Sequence, residues 1–149
     1  MIALDTNVLV AVHRADHPMH NVALSATKRL MTASTPLAIP WPCAHEFFAI
    51  VTHKKIWRDP TPPDRAWKSL QRWREHNLLF LHESDAHHTI LAALISQARI
   101  TGPQIHDARV AALCIEHRIH TLLTFDRDFS RFTTLRTASP SQFMDKPAK

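Results

Sequence analysis

The stretch that decides the fold is residues 2–10, which run Ile2-Ala3-Leu4-Asp5-Thr6-Asn7-Val8-Leu9-Val10. A short apolar run comes first, a polar trio opens with Asp5, and a second apolar run follows. The first run is typical of a short buried strand. A carboxylate directly after such a strand lies at the carboxyl edge of the sheet, where open α/β sheets bind their ligands. Asp5 is therefore the first candidate for a functional site.

Three other acids stand in comparably unusual places. Glu46 lies within an otherwise apolar helix, Asp107 lies in the first turns of another helix, and Asp126 directly follows the apolar residues 121–125. Carboxylates packed close together repel one another unless a cation compensates their charge. Hard cations such as magnesium and manganese prefer oxygen ligands. The four acids together favour one metal site.

Each acid also has an explanation that needs no metal. Asp5 could cap a helical turn that begins at Thr6-Asn7, and Asp107 could be stabilised by a helix dipole. Glu46 could face solvent, and Asp126 with Asp128 could form an ordinary polar turn. A protein without a metal site would require all of these explanations at once, so the four acids together favour a metal site.

Strands and helices alternate along the chain, which predicts a three-layer α/β/α sandwich with a mainly parallel sheet of about five strands. The predicted strands are residues 2–4, 37–40, 78–81, 121–125 and 135–138. The predicted helices are residues 19–31, 42 to about 54–55, 64–77, 87–98 and a helix after Gly102-Pro103 that carries Asp107 and Ile115. Residues 140–149 are expected to form a frayed tail.

Composition narrows the class of protein. The 149 residues suit a single domain, and their 18 Lys and Arg against 13 Asp and Glu give a net charge of +5, which is compatible with a phosphate-backbone substrate. The single glycine, Gly102, excludes glycine-rich phosphate loops. Cys43 and Cys114 form no Cys-x-x-Cys pair, and no window is long and apolar enough for a membrane span. We expect a cytoplasmic protein with reduced thiols.

The ordered set of motifs resembles the PIN-domain nucleases and, in size and spacing, the VapC toxins of bacterial toxin–antitoxin pairs. The resemblance runs from about residue 1 to 139 and rests on residues 2–9, Glu46, Asp107 and residues 123–129. It implies a PIN-like fold and an acidic quartet around Mg²⁺ or Mn²⁺, formed by Asp5, Glu46, Asp107 and Asp126. It further implies that Thr6 and Asn7 support the quartet, that Thr124 orients the last acidic loop, and that Asp128 is an outer or alternative ligand.

The same resemblance implies a function and partners. Metal-assisted hydrolysis of RNA phosphodiester bonds is the implied reaction, with Asp5 and Asp107 holding the principal ion and Glu46 and Asp126 completing the site. A small cognate antitoxin of the VapB kind is the implied partner, and we expect a homodimer. The aromatic segments Phe47-Phe48 and Trp67-Trp73 are candidate docking surfaces for both.

Other classes of protein stay open. A PIN-like scaffold without turnover and a PIN nuclease without an antitoxin would keep the same fold. A haloacid-dehalogenase-type phosphatase is disfavoured because it needs a second Asp where this chain has Asn7. The 12 histidines include no His-Glu-x-x-His motif, which disfavours a catalytic zinc site. The sequence assigns no role to His106 or to residues 57–63. For Trp67 and Trp73 two interpretations stay open, stacking on bases or a position in the core or in an oligomer interface.

Overall fold

The computed structural model describes residues 1–144. Its strands are β1 Ile2–Leu4, β2 Leu37–Pro40, β3 Leu79–Leu81, β4 Thr121–Leu123 and β5 Thr137–Ala138. Its helices are α1 Thr6–His13, α2 His20–Thr32, α3 Trp41–Val51, α4 Pro63–Glu75, α5 His87–Gln97 and α6 Ile105–Glu116. Three short 3-10 helices cover Gly102–Gln104, Arg127–Arg131 and Pro140–Phe143. Within this part of the chain, no helix is long and apolar enough to cross a membrane.

The five strands form one sheet in the order β3-β2-β1-β4-β5, and every neighbouring pair is parallel. Strand β1 lies at the centre and is buried along its whole length, which explains its purely apolar sequence. The chain extends the sheet on one side with β2 and β3 and then crosses to the other side with β4 and β5. This change of direction creates a topological switch point between β1 and β4. The predicted fold class, a parallel α/β sheet of about five strands, is confirmed.

The register between β1 and β4 places Leu4 opposite Leu123. The next residues along the two strands, Asp5 and Thr124, therefore emerge together at the carboxyl edge of the sheet. The backbone amide of Asp5 donates to the carbonyl oxygen of Leu123 at 3.0 Å, which carries the strand pairing one residue further. The first candidate carboxylate thus lies at the switch point, where parallel sheets form their binding crevice.

Helix α3 is held by its apolar face. It begins at the β2 end with Pro42 in its first turn, where a missing amide hydrogen costs nothing. Phe47 is fully buried, with its ring centroid 5.3 Å from that of Trp73 on α4 and 5.2 Å from that of His13 on α1. Phe47 is therefore an interior packing residue, so the prediction that it contributes to a docking surface is wrong, whereas Trp73 is half-buried. Trp67, in contrast, is 49% exposed.

Several predicted boundaries are wrong. Helix α3 ends at Val51 and not near residues 54–55, because the chain turns there and the carbonyl of Val51 accepts a hydrogen bond from the amide of Thr61 at 2.8 Å. Helix α1 follows Asp5 directly, whereas the sequence suggested at most a capped turn. Strand β5 has only two residues, Thr137 and Ala138.

The predicted fraying of the tail is wrong for residues 140–143. They form a 3-10 helix that opens with a capping box between Ser139 and Gln142, and Pro140 is buried. Phe143 packs against the hydrophobic core. An apolar residue therefore anchors this segment where sequence composition indicated only polarity. The remaining residues, 145–149, lie outside the described part of the chain.

Candidate active site

The carboxylate of Asp5 is buried, with 6% of the residue exposed, and both of its oxygens accept hydrogen bonds. As the N-cap of α1, Asp5 accepts from the amide of Thr6 through Oδ1 at 2.7 Å. Its Oδ2 accepts from Thr124 Oγ1 at 2.6 Å and from Asn7 Nδ2 at 2.9 Å. The cap uses only one of the two oxygens, so capping is compatible with the predicted role of Asp5 in a site.

Thr124 and Asn7 tie the loop after β4 to the start of α1. Asn7 Nδ2 donates to Thr124 Oγ1 at 3.0 Å, and the Phe125 amide donates to Asn7 Oδ1 at 3.1 Å. Thr124 Oγ1 also accepts from the amide of Asp126 at 2.9 Å. These contacts fix the loop that carries Asp126 relative to Asp5. The supporting roles of Asn7 and Thr124 in a metal site, which the resemblance implies, stay predictions.

Glu46 reaches the same place from helix α3. Thr6 Oγ1 donates to Glu46 Oε2 at 2.7 Å, so the residue after Asp5 orients the second carboxylate. Cys43 lies three residues before Glu46 on the same face of α3 and contacts Asp5 Oδ1 through its Sγ at 3.7 Å. Burial raises the pKa of the Cys43 thiol well above its ordinary value, and the Asp5 charge raises it further, so this group is a neutral neighbour of the carboxylate.

Asp5, Glu46 and Asp107 line one open pocket of about 390 Å³ at this edge of the sheet. Asp107 lies in the first turn of α6 and is half-buried. Among residues 1–144, the only lysine or arginine in the lining is Arg109, whose Nε donates to Glu83 Oε1 at 2.6 Å and is therefore already paired. The other lining residues are Pro42, His45, Ala49, His106, Val110 and Phe129.

Asp126 and Asp128 lie beside this pocket and do not line it. Asp126 Oδ1 accepts from the Asp128 amide at 2.8 Å and caps the 3-10 helix Arg127–Arg131. Asp128 Oδ2 is 3.6 Å from Arg131 Nη2. The structure therefore brings three of the four expected ligands to one cavity and holds the fourth in the adjoining turn, where it has a structural function as well.

Burial and mutual repulsion raise the pKa values of two pocket carboxyls. The pKa of Asp5 rises to about 6, first because the group is buried, against the lowering effect of the Thr124 and Thr6 hydrogen bonds, and further because Glu46 and Asp107 are negative. The pKa of Asp107 is also raised, by burial first and then by Asp126. Asp126 is therefore close enough to act on the pocket electrostatically. Such a set of carboxylates is stabilised by a cation.

The donor chemistry fits a hard divalent cation. All three pocket ligands offer carboxylate oxygens, which magnesium and manganese prefer. Within residues 1–144, no three His, Cys, Asp or Glu side chains form a ready-made metal-binding group. Magnesium is bound in this open manner, by one or two carboxylates together with waters and substrate phosphates, and seldom by an all-protein cage.

Sequence reasoning missed four lining or contacting residues: Cys43, His45, Arg109 and Phe129. Helical spacing would have found Cys43, because it precedes Glu46 by three residues on one helix face. Phe129 ends the motif 123–129 on which the resemblance rests, but sequence reasoning assigned its side chain no role; it reaches the pocket from the turn after Asp126. His106, to which sequence assigned no role, is exposed at the pocket rim.

The chain is similar to known proteins over nearly its whole length. The PIN domain model matches residues 2–135. Ribonuclease VapC31 of Mycobacterium tuberculosis (strain CDC 1551 / Oshkosh) is 31% identical over 141 residues, covering 94% of this chain and 99% of the relative. Among solved structures, the FitAB complex bound to IR36 DNA aligns with a TM-score of 0.70 at 17% identity, covering 99% of this chain and 100% of the other.

A second solved structure is similar in fold. VapC20 of Mycobacterium tuberculosis, described as a toxin that cleaves the sarcin–ricin loop, aligns with a TM-score of 0.63 at 20% identity, covering 87% of this chain and 93% of the other. The family model covers residues 2–135, and the curated relative is more than 30% identical over nearly the whole of both chains. This chain belongs to the PIN-domain family.

Proposed function

We propose that this protein is a ribonuclease that depends on Mg²⁺ or Mn²⁺ and acts as the toxin of a toxin–antitoxin pair. The observation that carries the proposal is the convergence of Asp5, Glu46 and Asp107 on one open pocket, in which the lining cation Arg109 is already paired with Glu83. The similarity to ribonucleases of the VapC kind supports RNA as the substrate. The net charge of +5 suits a polyanion.

Each side chain has a defined part in this proposal. Asp5 and Asp107 hold the principal ion, Glu46 completes the site, and Asp126 contributes through the charge it adds beside Asp107. A bound ion would supply Lewis-acid chemistry there, by activating a water and offsetting the charge that develops on the phosphate. Thr6 orients Glu46, and Thr124 with Asn7 orients Asp5. Asp128, paired with Arg131, is an alternative ligand.

Cleavage of a labelled RNA by the purified protein tests this reaction. The wild-type protein should cut in the presence of manganese or magnesium and stop when a chelator is added. Asp5→Asn and Asp107→Asn should both be inactive, whereas Asp85→Asn, which alters an exposed acid outside the pocket, should retain full activity. Cleavage by either pocket variant at the wild-type rate would overturn the metal site. RNA binding by the wild-type protein without metal-dependent cleavage would point to a PIN-like scaffold.

A cellular test addresses the toxin assignment. Expression of the wild-type chain in a bacterium should arrest growth, and Asp5→Asn should not. Co-expression of a small VapB-like antitoxin from the adjacent reading frame should restore growth. The same growth curve for both variants, with soluble protein confirmed, would favour a nuclease that is not paired with an antitoxin.

The proposed homodimer is tested by mass measurement. The apolar hollow beside the exposed Trp67, which Ala44, His45, Phe48 and Leu70 also line, is a candidate contact between two copies. Light scattering should report twice the chain mass for the wild-type protein. Trp67→Ser should shift the mass toward one chain, and a wild-type protein of single-chain mass at high concentration would contradict the dimer.

A further inference from the structure

A second and larger groove lies at the opposite end of helix α1 from Asp5. Its volume is about 780 Å³, and it is formed by the end of α1, residues 59–62 and one face of helix α4. In the described part of the chain, four cations line it, namely Arg14, Arg65, Lys68 and Arg72, together with one acid, Asp59. The proposed nuclease reaction uses none of these residues.

Three of these cations form a stripe along α4. Arg65, Lys68 and Arg72 are spaced by three and four residues, so they occupy one face of the helix. All three are exposed, and among residues 1–144 no carboxylate forms an ion pair with any of them. Like charges at these spacings destabilise a helix slightly. An anion bound along the stripe would remove that repulsion.

The fourth cation and the floor of the groove are held in place. Arg14 donates to both carboxylate oxygens of Asp16 at 2.8 and 2.6 Å and to the Asp59 carbonyl at 2.8 Å, and its guanidinium lies 4.1 Å from the Trp57 ring centroid. At the floor, His13 bridges Thr61 Oγ1 at 3.0 Å and Ser69 Oγ at 3.1 Å. These contacts link α1, the proline-rich loop and α4, so the groove is preformed.

We propose that this groove binds the phosphodiester backbone of the RNA, as an accessory site separate from the carboxylate pocket; this inference rests on the proposed ribonuclease function. The three stripe cations, which are regularly spaced and not paired with a carboxylate, match the repeating charge of a nucleic-acid strand. Of residues 1–144, the only apolar side chains that line the groove are Pro60 and Pro62, so these residues do not form the hydrophobic pocket that an amphipathic peptide helix requires.

The distance between the two sites sets the length of RNA that can use both. Helix α1 has eight residues, Thr6–His13, so its two ends are about 12 Å apart. At the stacked spacing of about 3.4 Å per nucleotide along one strand, this distance corresponds to about four nucleotides between the cleaved bond and the groove. Shorter substrates should be indifferent to it.

Binding in the presence of a chelator tests the site without requiring cleavage. A fluorescent twelve-nucleotide RNA is titrated with the wild-type protein and with the triple variant Arg65→Gln/Lys68→Gln/Arg72→Gln. The triple variant should bind about tenfold more weakly or worse at low salt, and the slope of log K against log salt should fall by about 2, since each lost phosphate contact removes about 0.7. The matched control Lys28→Gln/Arg118→Gln/Arg136→Gln removes the same charge outside the groove and should bind nearly as wild type.

Cleavage kinetics provide a second readout. On the longer RNA, the stripe variant should raise KM and leave kcat unchanged, whereas both kinetic constants should stay unchanged on an RNA too short to span the two sites. Equal losses of RNA affinity in the stripe variant and the control would show that the effect comes from net charge, and would overturn the site. An unchanged salt slope in the stripe variant would overturn it as well.

The remaining outcomes are also distinct. If the stripe variant binds RNA normally but no longer binds an acidic protein partner, the groove is a protein-binding site and the proposal is wrong. If the wild-type protein binds RNA through the stripe but never cleaves it, the proposed nuclease function fails while the groove assignment stands.

Discussion

The carboxylate of Asp5 is oriented by residues from two different segments, the start of helix α1 and the loop after β4. Thr6 and Asn7 follow it along the chain, and Thr124 reaches it from that loop. Glu46 depends in turn on the hydroxyl of Thr6. Such supporting contacts commonly change metal affinity or activity by about 10–100-fold when they are removed. A single substitution at Thr6 therefore tests this arrangement.

We predict that Thr6→Val lowers the manganese affinity and the RNA cleavage rate about tenfold, because Glu46 loses the hydrogen bond that orients it. Thr6→Ser keeps the hydroxyl and should restore most of both. Metal titration and cleavage assays measure the two effects, and circular dichroism controls for the fold because Thr6 is buried. Wild-type affinity and rate in Thr6→Val would show that this contact has no part in the site.

At the scale of the element, four helices end in an unusual way. The residues after α2, α4, α5 and α6 adopt positive φ angles although none is glycine: Ser34 at 54°, Asn77 at 62°, Arg99 at 50° and Arg118 at 53°. Each helix closes with a hydrogen bond characteristic of the Schellman motif, for example from the Ile100 amide to the Ile95 carbonyl at 3.0 Å. The left-handed conformation costs a residue with a side chain about 1–2 kcal/mol.

Arg99→Gly should therefore stabilise the protein by about 1 kcal/mol. Glycine adopts the positive φ without a steric penalty, and the greater conformational entropy that it gives the unfolded chain offsets only part of this gain. Arg99→Ala is the matched control, because it removes the same charge and side chain but keeps the Cβ atom. Urea unfolding measures both. Equal stability of the glycine and alanine variants would show that strain at this position is negligible.

A buried acid at the end of helix α6 also stabilises the position of this helix. Glu116 has a side chain only 4% exposed, and it accepts from the Ser84 amide at 2.6 Å and from His87 Nδ1 at 3.1 Å. Burial alone would raise the pKa of Glu116, but its hydrogen bonds to Ser84 and His87 outweigh burial and lower it below the ordinary value of 4.5. The acid thus joins the loop before α5 to the end of α6.

The pH dependence of stability should reveal this contact. Because the folded-state pKa of Glu116 is the lower one, the folded state binds the proton less tightly than the unfolded state. The stabilisation is present above about pH 4.5 and is lost as the pH falls through the folded-state pKa. Glu116→Gln should cost about 1–3 kcal/mol at neutral pH, and the difference from wild type should shrink in acid. A difference that is constant with pH would contradict the assignment.

At the scale of the whole molecule, a cluster of negative charge and a cluster of positive charge lie in two separate regions of a chain whose net charge is positive. The pocket at the sheet edge holds three carboxylates, and the groove at the far end of α1 holds four cations. A divalent cation and a phosphate backbone complement these two regions respectively. A ligand that binds the folded state and not the unfolded state should therefore raise the free energy of unfolding of the whole domain.

Manganese in the millimolar range should raise the melting temperature of the wild-type protein, following RT ln(1 + [L]/Kd), and should leave Asp5→Asn unchanged. Zinc should have no special effect, since the pocket ligands are carboxylate oxygens. Differential scanning fluorimetry with each ion measures this. A shift with zinc and none with manganese would favour histidine ligands and displace the carboxylate site.

Much of this protein was predictable from local patterns. The alternation of apolar runs with helical periodicity predicted the parallel α/β sheet, because parallel strands need crossover helices and buried strands need continuous apolar residues. Asp5 was identified from its place after such a strand. The boundaries of α3 and of the segment 140–143 were mispredicted, because long-range contacts set them: the Val51 carbonyl with Thr61, and Phe143 with the core.

The sequence by itself determined which residues carry charge, which strands are buried and which acids stand at element ends, since these follow from residue type and spacing. Only the tertiary structure decided which acids meet. It brought Asp5, Glu46 and Asp107 to one pocket and kept Asp126 in the adjoining turn, because strand order and helix packing fix distances between residues far apart in the chain. It also aligned Arg65, Lys68 and Arg72 with Arg14 across a groove, an arrangement that depends on the packing of α4 beside α1.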